Sequence, residues 1–117
     1  MTEPKECLFC NIVGGGTEAD LVHQDEAVTV FRDINPQAPV HMLLVPNEHV
    51  ATLNDLTPAQ DAMIGRLVRT AAEVAARHGI AQDGYRLVTN CGRHGGQVVM
   101  HVHVHLLGGR EMAWPPG

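Results

Sequence analysis

The sequence lacks any apolar run near the roughly 18 to 20 residues that span a bilayer, so no membrane partner is expected. Positive charge is scarce: 8 Lys plus Arg stand against 13 Asp plus Glu, for a net charge of −5. That balance leaves no broad basic field for nucleic acid. Any phosphate the chain meets must be gripped locally. Aromatic residues are only 3% of the chain, too few to stack many bases. Cysteine is limited to three residues, two of them in Cys7-Leu8-Phe9-Cys10, which suits a reducing compartment better than a disulfide scaffold. Repeats, low-complexity tracts and linkers are missing. The opening Met1-Thr2-Glu3-Pro4-Lys5-Glu6 is polar and does not read as a signal peptide. A cytoplasmic protein is the expectation.

What is present is enough for one core. A length of 117 residues with 44% hydrophobic content predicts a single domain over residues 1–117. A short helix is expected near Cys7–Val13, then a turn at Gly14-Gly15-Gly16. Strands are expected at 21–24, 27–31, 41–45, 85–89 and 98–107, the last being the longest. Asp25-Glu26 reads as a turn, and Asn35-Pro36-Gln37-Ala38-Pro39 as a loop. Thr57, Pro58 and Gln60 form an N-terminal capping signature for one long helix. Met63, Ile64, Leu67, Val68, Ala71, Val74 and Ala75 give that helix an apolar stripe, with Gly79 as its stop. Gly65 inside it suggests close packing on a sheet. Hairpin-spaced strands around a single long helix predict an α+β fold with an antiparallel sheet of about five strands.

Histidine is abundant: eight residues, equal to the whole count of Lys plus Arg. Three of them alternate in His101-Val102-His103-Val104-His105. On a strand, alternate side chains share one face about 6.7 Å apart. Val98, Met100, Val102, Val104 and Leu106 would then face the long helix. Val99, His101, His103, His105 and Leu107 would face elsewhere. A neutral imidazole can attack phosphorus, and its neighbours can carry protons or hold the phosphate oxygens. The middle ring, His103, has a helper on either side and is the expected nucleophile. The spacing between the rings predicts a separate hydrogen-bond partner for each. A metal site, or three half-exposed strand histidines without chemistry, are the plainer readings of the same pattern. Cys7 and Cys10 have the C-x2-C spacing of two zinc ligands, or are small apolar residues on a short helix. Cys91 reads as a free thiol. His94 could touch a ligand, although exposure is the simpler reading, and His23 and His78 read as surface residues.

The stretch from Asn90 through Gly95-Gly96-Gln97 and the three histidines to Gly108-Gly109-Arg110 resembles the signature of the histidine triad (HIT) family. Phe31-Arg32-Asp33-Ile34-Asn35-Pro36-Gln37-Ala38-Pro39-Val40-His41 resembles its nucleoside-binding segment. The ending Gly109-Arg110-Glu111-Met112-Ala113-Trp114-Pro115-Pro116-Gly117 is similar to the Hint-like purine nucleoside phosphoramidase branch. The resemblance implies a HIT-like fold. It also implies hydrolysis of nucleoside 5′-monophosphate derivatives, of adenosine phosphoramidate type, through a covalent nucleotidyl-His103. His105 and His41 would support the phosphate and the attacking ring, and Asn90 would contact the phosphate or leaving group. Asp33 would accept from the ribose hydroxyls. Leu8, Phe9, Ile12, Phe31, Ile34 and Leu43 would wall the base, with Gln97 among the nucleotide-binding residues.

The same resemblance implies that His49 and His101 complete a structural zinc site with Cys7 and Cys10, without an organic cofactor. It further implies a homodimer joined edge to edge, with AMP or a related purine nucleotide as ligand. Two departures stand out. Val98 lies where that branch commonly places a serine, and Ala113 where it often has a histidine. A dinucleoside polyphosphate hydrolase and a non-catalytic adenylate-binding protein remain as alternatives.

Overall fold

The computed structural model describes residues 6–117; Met1–Lys5, on which the leader expectation rests, lie outside the described residues. Helix α1 spans Leu8–Val13. The strands are β1 (Leu21–Gln24), β2 (Val28–Arg32), β3 (Val40–Pro46), β4 (Tyr85–Val88) and β5 (Val104–Gly108). Helix α2 spans Asp61–Arg77, and a short helical turn, α3, spans Gly92–Gly95. The strands form one antiparallel sheet in the order β1-β2-β3-β5-β4. This is the α+β architecture expected.

Local signals explain most boundaries. Cys7 caps α1 by accepting the Cys10 amide on its sulfur at 3.4 Å. Asp25 closes the β1–β2 turn, its Oδ1 accepting from the amides of Ala27 and Val28 at 2.8 and 2.9 Å. The Thr57–Gln60 capping box is present, but it caps a 3-10 turn over Pro58–Gln60 and α2 proper begins at Asp61. Gly79 follows α2 with φ +74°, the left-handed conformation that glycine adopts without a Cβ penalty.

The sheet has two apolar faces. One packs on α2: Val28, Val30, Met42, Leu44, Val104 and Leu106 meet Leu67, Ala71, Val74 and Ala75. The other packs on α1: Phe31, Leu43 and Val45 meet Cys7, Phe9 and Ile12. Register sets this division. Phe31 lies opposite Leu43, and Leu43 opposite His105, so these three side chains form a row across β2, β3 and β5.

Several sequence expectations are corrected. The last strand starts at Val104 rather than Val98. Its upstream part leaves the ladder because the Val102 amide donates to Val50 O at 2.7 Å and the His101 amide turns back to Val99 O at 2.9 Å. The apolar-face reading therefore holds for Val104 and Leu106 but fails at Val98, which is 88% exposed. Gly65 does not mark close packing, because a Cβ there would meet nothing within 4 Å. Val68, counted in the apolar stripe, is 47% exposed. Close glycine contacts lie instead at Gly108, where a Cβ would fall 2.5 Å from Ile80 Cδ1 and 3.2 Å from Ile80 Cβ, and at Gly109, where it would fall 2.9 Å from Pro39 Cβ. Among the described residues, no helix is long and apolar enough to cross a membrane.

Candidate active site

A cleft of about 610 Å³ opens on the α1 side of the sheet. Its apolar walls are Leu8, Phe9 and Ile12 from α1, Phe31 from β2, Leu43 from β3, and Ile34 from the loop after β2. Asp33, Asn90, His103 and His105 supply polar groups to the same cleft. An apolar slot ending in convergent polar groups is the general form of a small-molecule site. His41 stands directly behind His105, within hydrogen-bond distance.

Hydrogen bonds fix the proton on each imidazole. His103 Nδ1 lies 2.7 Å from His101 O, and a carbonyl can only accept. The His103 proton therefore sits on Nδ1, and the lone pair is on Nε2. Phe9 meets the His103 ring edge-on at 5.0 Å and 84°, holding its plane. The Gln37 amide donates to His41 Nδ1 at 3.0 Å, so the neutral His41 ring carries its proton on Nε2. That Nε2 lies 2.9 Å from His105 Nδ1, which must then accept. The proton of His105 is thereby left on Nε2. The contact is a diagonal one across β3 and β5, since Leu43 rather than His41 lies opposite His105.

Burial supports neutral rings. It lowers the affinity of His41 for a second proton, against the opposing pull of the Asp33 carboxylate. Burial likewise lowers the pKa of His105, helped by His103 and His41 and opposed by Asp33. At pH 7 the pair is thus a chain of neutral donors.

The first histidine has a different environment. His101 is fully buried, and its Nε2 donates to Pro46 O at 2.8 Å. Its Nδ1 lone pair faces Cys7 Sγ at 3.3 Å, Cys10 Sγ at 3.5 Å and His49 Nδ1 at 3.2 Å. Cys10 Sγ lies 3.2 Å from His49 Nδ1, and the four donor atoms fall within 4.8 Å of one another. With zinc–sulfur bonds of about 2.3 Å and zinc–nitrogen bonds of about 2.05 Å, tetrahedral edges come to roughly 3.3 Å between nitrogens and 3.6 Å between nitrogen and sulfur. The observed edges have that size, so the residues fit a four-coordinate metal. Without a metal, burial and the neighbouring Cys7 thiol push the Cys10 thiol up to about 11.

Asp33, His41 and His105 form a second close group of potential ligands. The Gln37 amide argues against a metal there. It occupies the Nδ1 lone pair, so a neutral His41 presents N–H rather than a lone pair at Nε2. The two clusters therefore differ in kind: lone pairs converge in one, and a proton is shared in the other.

The side chain of Gln97 lies outside the cleft lining: Oε1 accepts from the Gly92 amide at 3.0 Å, and Nε2 donates to Ala51 O and Val99 O at 2.8 and 3.0 Å. Gln97 holds the loop that carries the histidines. The cleft also includes Arg32 and Asn35, from the stretch that resembles the nucleoside-binding segment, and Thr17, Glu18 and Ala19, which sequence reasoning did not assign to it and whose only signal was proximity to the Gly14–Gly16 turn. Val99, assigned to the histidine face, reaches the cleft rim. His94 is exposed, in line with the simpler reading. His23 is not a plain surface residue, since its Nε2 lies 2.7 Å from Asp25 Oδ2.

An antiparallel five-stranded sheet with imidazoles oriented at a small-molecule cleft defines the α+β class of this protein. The HIT domain family matches residues 15–112. The purine nucleoside phosphoramidase of Escherichia coli K12 is 48% identical over 108 residues, covering 92% of this chain and 91% of the relative. A HIT family hydrolase from Legionella pneumophila Philadelphia 1 superposes with TM-score 0.94 at 46% identity, covering 95% of this chain and 99% of that one. A histidine triad protein from Clostridium difficile superposes with TM-score 0.92 at 35% identity, covering 96% and 97%. The chain belongs to the histidine triad family.

Proposed function

We propose that this protein is a nucleotide hydrolase acting on nucleoside 5′-monophosphate derivatives of the adenosine phosphoramidate type. His103 Nε2 attacks the α-phosphorus. A nitrogen–phosphorus bond forms to the ring as the bond to the leaving amine breaks, and that amine takes a proton from solvent. Water then displaces His103 and releases AMP. His105 donates its Nε2 proton to a phosphate oxygen, Asn90 contacts the phosphate or leaving group, and Asp33 accepts from the ribose. The apolar walls take the purine. One observation carries this reading: the 2.7 Å bond from His103 Nδ1 to His101 O leaves a lone pair on Nε2 at the cleft. The decisive experiment is an alkaline quench of adenosine 5′-phosphoramidate turnover, which preserves a nitrogen–phosphorus bond, with mass analysis of the peptide containing His103. An AMP adduct is expected, and His103→Ala should lose turnover by about 10⁴-fold while still binding AMP. Equal rates in the variant and its parent would end the assignment.

The reading includes a structural zinc on Cys7, Cys10, His49 and His101, supported by the tetrahedral edge lengths. With four protein ligands it leaves no open coordination position. It also includes one domain over residues 1–117, a cytoplasmic location and a homodimer. The dimer is supported by the unpaired outer edge of β4 and the exposed Val68 on α2. A second reading, an adenylate-binding protein with little turnover, is favoured by Val98. It lies exposed on the cleft rim and offers no hydroxyl to a leaving group.

A further inference from the structure

The His41 Nε2 proton is donated to His105 and is also attracted by the nearby Asp33 carboxylate, which accepts no hydrogen bond from it. His105 Nδ1 lies at 2.9 Å and Asp33 Oδ2 at 3.4 Å. The Gln37 amide fills His41 Nδ1, so the neutral ring has no second proton to offer. The contest is locked in place by the backbone: the Asp33 amide donates to His41 O at 3.0 Å, and Asp33 Oδ1 accepts the Asn35 amide at 2.8 Å. The His41 side chain is 4% exposed, whereas that of Asp33 is 18% exposed and lines the cleft. The carboxylate is thus within reach of a ligand, and the imidazole it contacts is not.

We propose that His41 is a positioning residue that couples ribose recognition at Asp33 to the phosphate-binding proton of His105. The inference rests on the reading of Asp33 as the ribose acceptor. A hydroxyl pair donating to Asp33 satisfies its oxygens and weakens its hold on the His41 proton. The His41 bond to His105 Nδ1 then tightens, which holds the His105 Nε2 proton more firmly on the phosphate side. A ligand without the hydroxyls leaves the pull of Asp33 on the His41 proton unrelieved and His105 less well held. Ribose hydroxyls therefore contribute to the rate of the bound complex, not to affinity alone.

The test compares adenosine 5′-phosphoramidate with its 2′,3′-dideoxy analogue in the parent and in His41→Gln. In the parent, loss of the hydroxyls is expected to raise KM and also to lower kcat by about fivefold, the effect of one ordinary hydrogen bond. His41→Gln should keep the KM effect and lose the kcat effect. A parent penalty confined to KM, or a kcat penalty that survives in His41→Gln, overturns the coupling. Nitrogen-15 spectra of the parent imidazoles give a second readout that needs no variant. AMP should move the His41 Nε2 resonance, and 2′,3′-dideoxy-AMP should not; equal shifts with both ligands overturn the coupling. Failure of the hydrolase reading shows separately, as no turnover of the ribose-bearing substrate, and the spectra then decide the coupling alone.

Discussion

Each histidine of the triad is defined by the atom that faces its second nitrogen. A carbonyl opposite one nitrogen of His101 and of His103 forces a proton there and frees the other lone pair. The freed pair points to the cluster of Cys7, Cys10 and His49 in one case and is available to the cleft in the other. Val98 shows the reverse situation: its position in the cleft rim is clear, but its side chain has no proton chemistry. Val98→Ser places a hydroxyl at the rim, and we expect the phosphoramidate rate to rise by about tenfold, of the order a positioned donor contributes. An unchanged kcat/KM would remove this position from leaving-group chemistry.

At the scale of elements, a polar network ties the β1–β2 hairpin to α2. Arg66 on α2 reaches Asp25 at 3.3 Å and Glu26 at 2.8 Å. Burial alone would raise the Asp25 carboxyl. The bonds from His23, from the amides of Ala27 and Val28 and from Arg66 outweigh it and hold the group well below the usual carboxylate range. The folded value is below the unfolded one of about 3.9. The stabilisation is therefore complete above that value and is lost as pH falls through the folded value. Asp25→Asn should lower stability by about 1 to 2 kcal/mol at pH 7. In urea unfolding, the gap between variant and parent should narrow below pH 4; a gap that stays constant to pH 3 would refute the charged role.

At the scale of the whole molecule, the Cys/His cluster joins distant segments. Cys7 and Cys10 come from the start of α1, His49 follows β3, and His101 precedes β5. One zinc per chain is expected on purification. Its removal by a chelator should lower the unfolding midpoint by about 10 °C, the shift expected for roughly 3 kcal/mol. Metal content near zero in gently purified protein would contradict the site. The open β4 edge belongs to the same scale. Sedimentation should give twice the 12.6 kDa chain mass, and a monomer at micromolar concentration would contradict the paired edge.

The strands at 21–24 and near 28–32, 40–46 and 85–88 were legible because β-branched runs sit between turn signals that act locally. The long helix was legible through its cap, stripe and terminal glycine. The last strand was misread over 98–103, because alternation of side chains describes an extended chain whether or not a neighbour pairs with it. The Val102 amide found Val50 instead of a ladder partner, and nothing near Val102 announces that choice. The tie from Gln97 to Ala51 was not legible for a similar reason, since the two lie 46 residues apart and meet only in the fold.

The sequence by itself determined the element types, the antiparallel α+β class and the residues able to do chemistry, since propensity and periodicity are properties of neighbours along the chain. Only the tertiary structure decided which imidazole nitrogen carries each proton. Tautomers follow from the group set against each ring in three dimensions: Pro46 O, 55 residues away, against His101, and the turns that aim His101 O at His103 and the Gln37 amide at His41. Hydrogen bonds act over about 3 Å, and only folding brings such groups that close.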